Sequence, residues 1–107
     1  MSETRKLTFH ADPSHGWLEV PATDIHALHI IPSHYSHMHG DKVYLEEDCD
    51  ATAYLERAKD AGWVINITEK YTDRDSVIRT YDRITTEMFW VLNWNTHALE
   101  ASNESSI

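Results

Sequence analysis

Apolar positions alternate with polar ones from Arg5 to His10, with Leu7 and Phe9 pointing one way, and this period of two predicts a first strand. Residues Ala11-Asp12-Pro13-Ser14-His15-Gly16 interrupt the pattern as a turn. Alternation resumes over Trp17 to Val20, a short second strand with Leu18 and Val20 inward. Pro21 and Thr23 mark a helix start, Ile25 and Leu28 give it a short apolar stripe, and Pro32 stops it.

The densest pattern lies in residues 33 to 63. Gly40-Asp41 is a two-residue hairpin loop with Gly first, which suits a type II′ turn. Folding there pairs His39 with Lys42, Met38 with Val43, His37 with Tyr44, Ser36 with Leu45 and Tyr35 with Glu46. Met38, Val43, Leu45 and Ser36 then form the core face. Tyr35, His37, His39, Lys42, Tyr44 and Glu46 form a polar and aromatic surface, and a one-residue slip would exchange the two. An amphipathic helix follows, with Asp48 or Asp50 as N-cap and Ala51, Tyr54, Leu55, Ala58 and Ala61 as its buried stripe. Glu46, Glu47, Asp48 and Asp50 sit at the positive end of its dipole, Arg57 and Lys59 at the other, and Gly62 supplies a left-handed cap.

Trp63 to Tyr71 alternates again, with Trp63, Ile65 and Ile67 on one side. Thr72 to Asp75 is a polar turn, and Ser76 to Ile84 reads as a returning strand. In EMFWVLNW, residues 87 to 94, Met88, Trp90, Leu92 and Trp94 fit a strand face, while Thr86 equally suits a helix cap; periodicity leaves both open. The expectation is one α+β domain over residues 1–107, about ββαββαββ plus a C-terminal strand. Its sheet is mostly antiparallel, its helices pack on one face, and its polar tail frays from about residue 101.

Composition narrows the function classes. Nine Lys and Arg stand against eighteen Asp and Glu, a net charge of −9, which disfavours direct binding to nucleic acid or an anionic membrane and suits a basic protein partner. The single Cys49 rules out an internal disulfide and fits a reducing cytosol, with the residue packed small and buried under the helix. No apolar run reaches the length of a membrane span and no signal-peptide core precedes Leu7, so the expected location is cytoplasmic.

Eight histidines are the chemical peculiarity of the chain. His37 and His39 share a strand face, and with Glu46 they form a weak candidate set for zinc, nickel or non-haem iron. The pair is similar to the His-x-His strand of cupins, but Val43 and Tyr44 stand where that pattern carries its Glu. Asp12 beside His10 and His15 suggests a carboxylate orienting a base, against the simpler reading of an Asp capping its own turn. Arg74, Arg79, Tyr81 and Arg83 are candidates to clamp an anionic, nucleotide-like ligand. No P-loop, dinucleotide-binding glycine pattern, CxxC or HExxH is present, so neither catalytic residues nor a cofactor are expected.

Three blocks, DPSHGWLEV at residues 12–20, Tyr35-Ser36 and VYLEEDCDA at 43–51, resemble a family of small uncharacterised proteins of bacteriophage and mobile elements. The likeness spans about residues 8 to 84, departs at the His-rich 34–39 segment and carries no catalytic role. It implies an accessory protein that binds host machinery, defence proteins included. On that expectation the chain is a non-enzymatic modulator or inhibitor of a basic or nucleic-acid-handling host protein, which it meets through Tyr35, His37, His39, Tyr44, Glu46, Glu47 and Asp48. A small-molecule anion binder is the alternative and a metal-dependent enzyme the third reading. Met88, Trp90, Leu92 and Trp94 put large apolar side chains on a terminal segment, so a homodimer through them is expected.

Overall fold

The computed structural model of the chain describes residues 3–85. Its elements are β1 (Thr4–Ala11), β2 (Gly16–Pro21), α1 (Ala22–Ala27), β3 (His37–His39), β4 (Lys42–Glu46), α2 (Ala51–Asp60), β5 (Val64–Tyr71), a 3₁₀ turn (Val77–Thr80) and β6 (Asp82–Arg83). They form an α+β fold with one mixed sheet of order β5-β1-β2-β4-β3-β6. Every pairing is antiparallel except β1 with β5, which run parallel from Thr4↔Val64 to Ala11↔Tyr71. The segment proposed for dimerisation, Met88, Trp90, Leu92 and Trp94, lies outside the described residues, as does the tail.

Alternation sorts the sheet into two faces. Leu7, Leu18, Val20, Val43 and Leu45 point to the helical side. There they pack with Ile25 and Leu28 of the α1 region, Ala51, Tyr54 and Ala58 of α2, and Ile84. Asp24 ties this layer together: its carboxylate accepts from Arg5 Nε and Nη2 at 3.0 and 3.1 Å and from the fully buried Tyr54 hydroxyl at 2.8 Å. Burial first, then the Asp24 carboxylate, raises the Tyr54 phenol above its ordinary range. Gly16 lies under Phe9, where a Cβ would come 2.3 Å from the ring tip, so any larger residue there would have to displace that ring.

Helix ends explain where the elements stop. α1 ends at Ala27, well before Pro32, because His29 adopts the left-handed region (φ 54°) and the amides of His29 and Ile30 return to the carbonyls of His26 and Ile25. Arg57 Nη1 seals this end from α2 by donating to the carbonyls of Leu28 and His29. α2 ends the same way on Gly62 (φ 79°), with Gly62 N–H to Lys59 and Trp63 N–H to Ala58. Ala61, placed in the buried stripe by its spacing, is the exposed cap residue.

The hairpin takes the expected register: His39↔Lys42, Met38↔Val43 and His37↔Tyr44 about a Gly40 with φ 61°. The ladder stops there, without the pairs Ser36–Leu45 and Tyr35–Glu46. Ser36 bends away, and its hydroxyl accepts from Glu46 N–H while donating to Asp50. Asp50 stands at the N-cap position of α2 without a side-chain cap bond; its carboxylate turns inward to Ser33 and Ser36, and Asp48 is exposed. Cys49 is exposed, not buried under the helix, because residues 47–49 lie on the outside of the turn before α2 begins.

The largest departure from expectation is residues 76–84. A strand from Ser76 to Ile84 is replaced by a Ser-capped 3₁₀ turn and the two-residue β6. Ser76 Oγ accepts from Ile78 N–H, and Asp12 takes the Ser76 amide, so the chain curls instead of extending. This curl covers the second face of the sheet. Trp17, Tyr44 and Ile78 are buried there with Tyr81 against them, so the face expected to be solvated is a second, smaller core. β5 is exposed along most of its length, Ile67 included, although spacing put Ile67 beside Trp63 and Ile65.

Candidate functional site

Asp12 anchors the second face. As the turn requires, it accepts the amides of Ser14 and His15, at 3.0 and 2.9 Å. The same carboxylate then reaches across the fold to Ser76 N–H (2.9 Å) and, bidentate, to Arg79 Nε (2.7 Å) and Nη2 (2.9 Å). Arg79 above all, and then these amides, hold the buried Asp12 carboxyl well below the usual carboxylate range, against the cost of its burial. Asp12 has no hydrogen bond to the ring of His10 or His15 among the described residues. His10 Nε2 meets Glu19 Oε1 at 2.9 Å instead. The capping reading of Asp12 is therefore the one its geometry follows, extended by a partner 67 residues away.

Arg79, fixed this way, lies over the Trp17 ring, 5.4 Å from its centroid. Next to it, His37 Nδ1 is 3.1 Å from the Tyr81 carbonyl. A carbonyl only accepts, so Nδ1 carries the hydrogen, and His37 stands edge-on to Trp17 at 6.0 Å. His39 stacks on Tyr81 at 4.2 Å, and Tyr81 leans on Tyr44 at 5.1 Å. Burial and the nearby Glu19 charge push the Tyr44 phenol up to about 12. Glu46 spends one oxygen on its own turn, where Oε2 accepts the amides of Asp48 and Cys49, both at 2.9 Å. Cys49 itself is raised in pKa, by desolvation of its sulfur and then by Glu46, Asp50 and Asp48.

These side chains enclose an open cavity of about 120 Å³ lined by His15, Trp17, Tyr35, His37, Glu46, Arg79 and Arg83. Two of its groups are underused. The indole N–H of Trp17, a residue only 2% exposed, has no hydrogen-bond partner, and it is the one buried side-chain polar atom in that state among the described residues. Arg83, which β6 sets beside His37 in register, is exposed and makes no side-chain hydrogen bond or ion pair among the described residues. The cavity can therefore offer the Arg83 guanidinium to a ligand, with Glu46 as its carboxylate.

The sequence candidates divide around this cavity. His37, Glu46, Tyr35, Arg79 and Arg83 line it; Tyr44 and Tyr81 pack in the small core beside it. Of the surface expected to meet a partner, His37, Tyr44 and Glu46 are buried, while Tyr35, His39, Glu47 and Asp48 are exposed. Arg74 is exposed in the turn after β5 and does not line the cavity. Arg79 belongs to the 3₁₀ turn, so it does not share a strand face with Tyr81 and Arg83. Among the described residues no three His, Cys, Asp or Glu side chains come together to hold a metal, so His37, His39 and Glu46 are not gathered into a ligand set. Likewise no helix among the described residues is long and apolar enough to cross a membrane.

Sequence reasoning missed the lining residue Trp17, and it singled out His15 only as a base beside Asp12. One signal was present: alternation that turns Leu18 and Val20 inward must turn Trp17 to the other face, and a tryptophan there asks for cover. Comparison with models of protein families, with curated proteins and with solved structures found no match to this chain.

Proposed function

We propose that this chain is a non-enzymatic accessory protein that binds a host protein in the cytosol and modulates or inhibits it. The contact would be made at the end of the sheet that carries the cavity. One observation supports this reading above the others: Arg83 brings an unused guanidinium to an open cavity whose rim carries the exposed Tyr35. Arg and Tyr are side chains that protein interfaces favour. Acidic Glu47 and Asp48 are exposed on the turn that follows Glu46, and with a net charge of −9 they would steer a basic partner toward this end. The phage-type resemblance of residues 12–20 and 43–51 points the same way.

The second reading, sequestration of a small anionic molecule, is favoured by Arg79 and Arg83 lining one cavity. Size weighs against a whole nucleotide: about 120 Å³ is well below the roughly 300–1,000 Å³ of ordinary small-molecule pockets. The cavity suits one functional group of a larger partner better. Capture from host lysate with the intact chain, Arg83→Glu and Tyr35→Ala tests the proposal. A stoichiometric partner, held less well as salt rises and lost with both substitutions, is the expected result. A partner retained equally by all three proteins would place the contact elsewhere. The homodimer through residues 88 to 94 is a separate proposal, and light scattering on the intact chain and on Trp90→Ala decides it.

A further inference from the structure

We infer that the free edge of β5 docks the β5 of a second copy of this chain, the two strands running antiparallel about a twofold axis at Thr68. The inference goes beyond the host-binding reading, since β5 stands at the far edge of the sheet from β6 and lines no part of the cavity.

The ladder to β1 fixes which backbone groups of β5 are free. Val64 N–H donates to the Glu3 carbonyl at 2.7 Å, and Thr72 N–H to the Ala11 carbonyl at 3.0 Å. Bonding alternates along a paired strand, so Asn66, Thr68 and Lys70 face β1 as well. The N–H and C=O groups of Ile65, Ile67, Glu69 and Tyr71 therefore point outward, where no other strand among the described residues meets them. Exposed edges are normally kept short, or broken by Pro, a bulge or an inward charge. β5 has eight residues, no Pro and an unbroken ladder, and Val64, Ile67 and Tyr71 are exposed along it. What satisfies such a row of alternating donors and acceptors is another extended chain.

Charge and symmetry then select the occupant. In a chain of net charge −9, β5 carries Glu69 and Lys70 and no other charge, so its edge favours neither a basic nor an acidic segment. A second copy fits it, and one register stands out. A twofold axis normal to the sheet pairs odd-numbered residues with odd-numbered ones, which brings outward groups to outward groups. An axis at Glu69 or Lys70 would set like charges opposite each other. An axis at Asn66 or Ile67 would leave Tyr71 without a partner in the opposing strand. With the axis at Thr68, the outward groups of Ile65, Ile67, Glu69 and Tyr71 are all paired. Tyr71 then faces Ile65 of the second copy and Thr68 faces Thr68, both pairings that stabilise antiparallel strands.

Sedimentation of the intact chain over a concentration series should show a monomer–dimer equilibrium. Thr68 is exposed, so Thr68→Lys should leave thermal unfolding of the dilute protein unchanged. Its two ammonium groups meet at the axis and should raise the dissociation constant about fivefold. Crosslinking in a Cys49→Ser background reads the register. Residue 68 faces its own copy in a non-hydrogen-bonded pair with about 4.5 Å between Cα atoms, inside the roughly 4.4–6.8 Å that disulfides span. Thr68→Cys should oxidise to a covalent dimer, while Asn66→Cys and Lys70→Cys should not. The amides of Ile65, Ile67, Glu69 and Tyr71 should also gain exchange protection as concentration rises. A chain that stays monomeric at every concentration overturns the proposal. So does a dimer that ignores Thr68→Lys, whether or not Trp90→Ala dissolves it. Protection of those amides already in the monomer also overturns it, because residues 86–107 would then cover the edge. A dimer that crosslinks through residue 66 or 70 overturns the axis at Thr68.

Discussion

Replacing Asp12 with asparagine keeps the shape of the side chain but removes the charge that Arg79 and the amides around it are arranged to meet. At neutral pH the variant should be about 2 to 3 kcal/mol less stable, since a buried charge-assisted contact is lost and donors are left poorly matched. The folded carboxyl titrates below its ordinary value of 3.8, so its stabilisation is complete above that value and is lost as pH falls below it, when the unfolded chain takes up the proton first. Urea unfolding at pH 7 and near pH 3 checks this: the gap between wild type and Asp12→Asn should narrow in acid. A gap that is constant with pH would show that shape, not charge, is what Asp12 supplies. Half of this residue was legible in the sequence. Asp-Pro in a turn announces local capping, and Asp12 does cap Ser14 and His15. Its bond to residues 64 and 67 positions later depends on which strands become neighbours, and no local pattern carries that.

Among the elements, those governed by short-range rules were legible and the segment governed by a distant contact was not. Gly-Asp between two alternating runs specifies its hairpin, and Gly62 after a 3.6-residue stripe specifies where α2 stops. Gly62→Ala should cost about 1 kcal/mol: nothing lies within 4 Å of the added carbon, so the cost is that of the left-handed backbone alone. Calorimetry on the two proteins measures it. Asp50→Ala should cost more, about 1 to 3 kcal/mol, because it strips the acceptor from Ser33 and the buried Ser36. Amide exchange should then rise in residues 33–36 while the centre of α2 keeps its protection. By contrast, Ser76 to Ile84 alternates well enough to pass for a strand. It curls because Ser76 caps the turn and Asp12 holds both Ser76 and Arg79 from outside the segment.

For the whole molecule, the sheet is antiparallel at every pairing but the one where β5 joins β1 in parallel. α+β architecture followed from the order of patterns, because strands separated by short turns pair with their neighbours. The parallel partnership did not, since β1 and β5 are joined by the whole intervening domain. The cavity inherits the same obscurity: β2, β3, β4 and the 76–83 segment each bring part of its lining, and only the finished topology shows them together. That parallel pair has a consequence during synthesis. β1 leaves the ribosome early, and its eight pairing positions have no β5 to meet until residues 64–71 are made. At about 5–20 residues per second, the interval is roughly 3 to 12 seconds. During it, an alternating strand with unpaired amides stands open on a nascent chain, where any other extended segment can pair with it first.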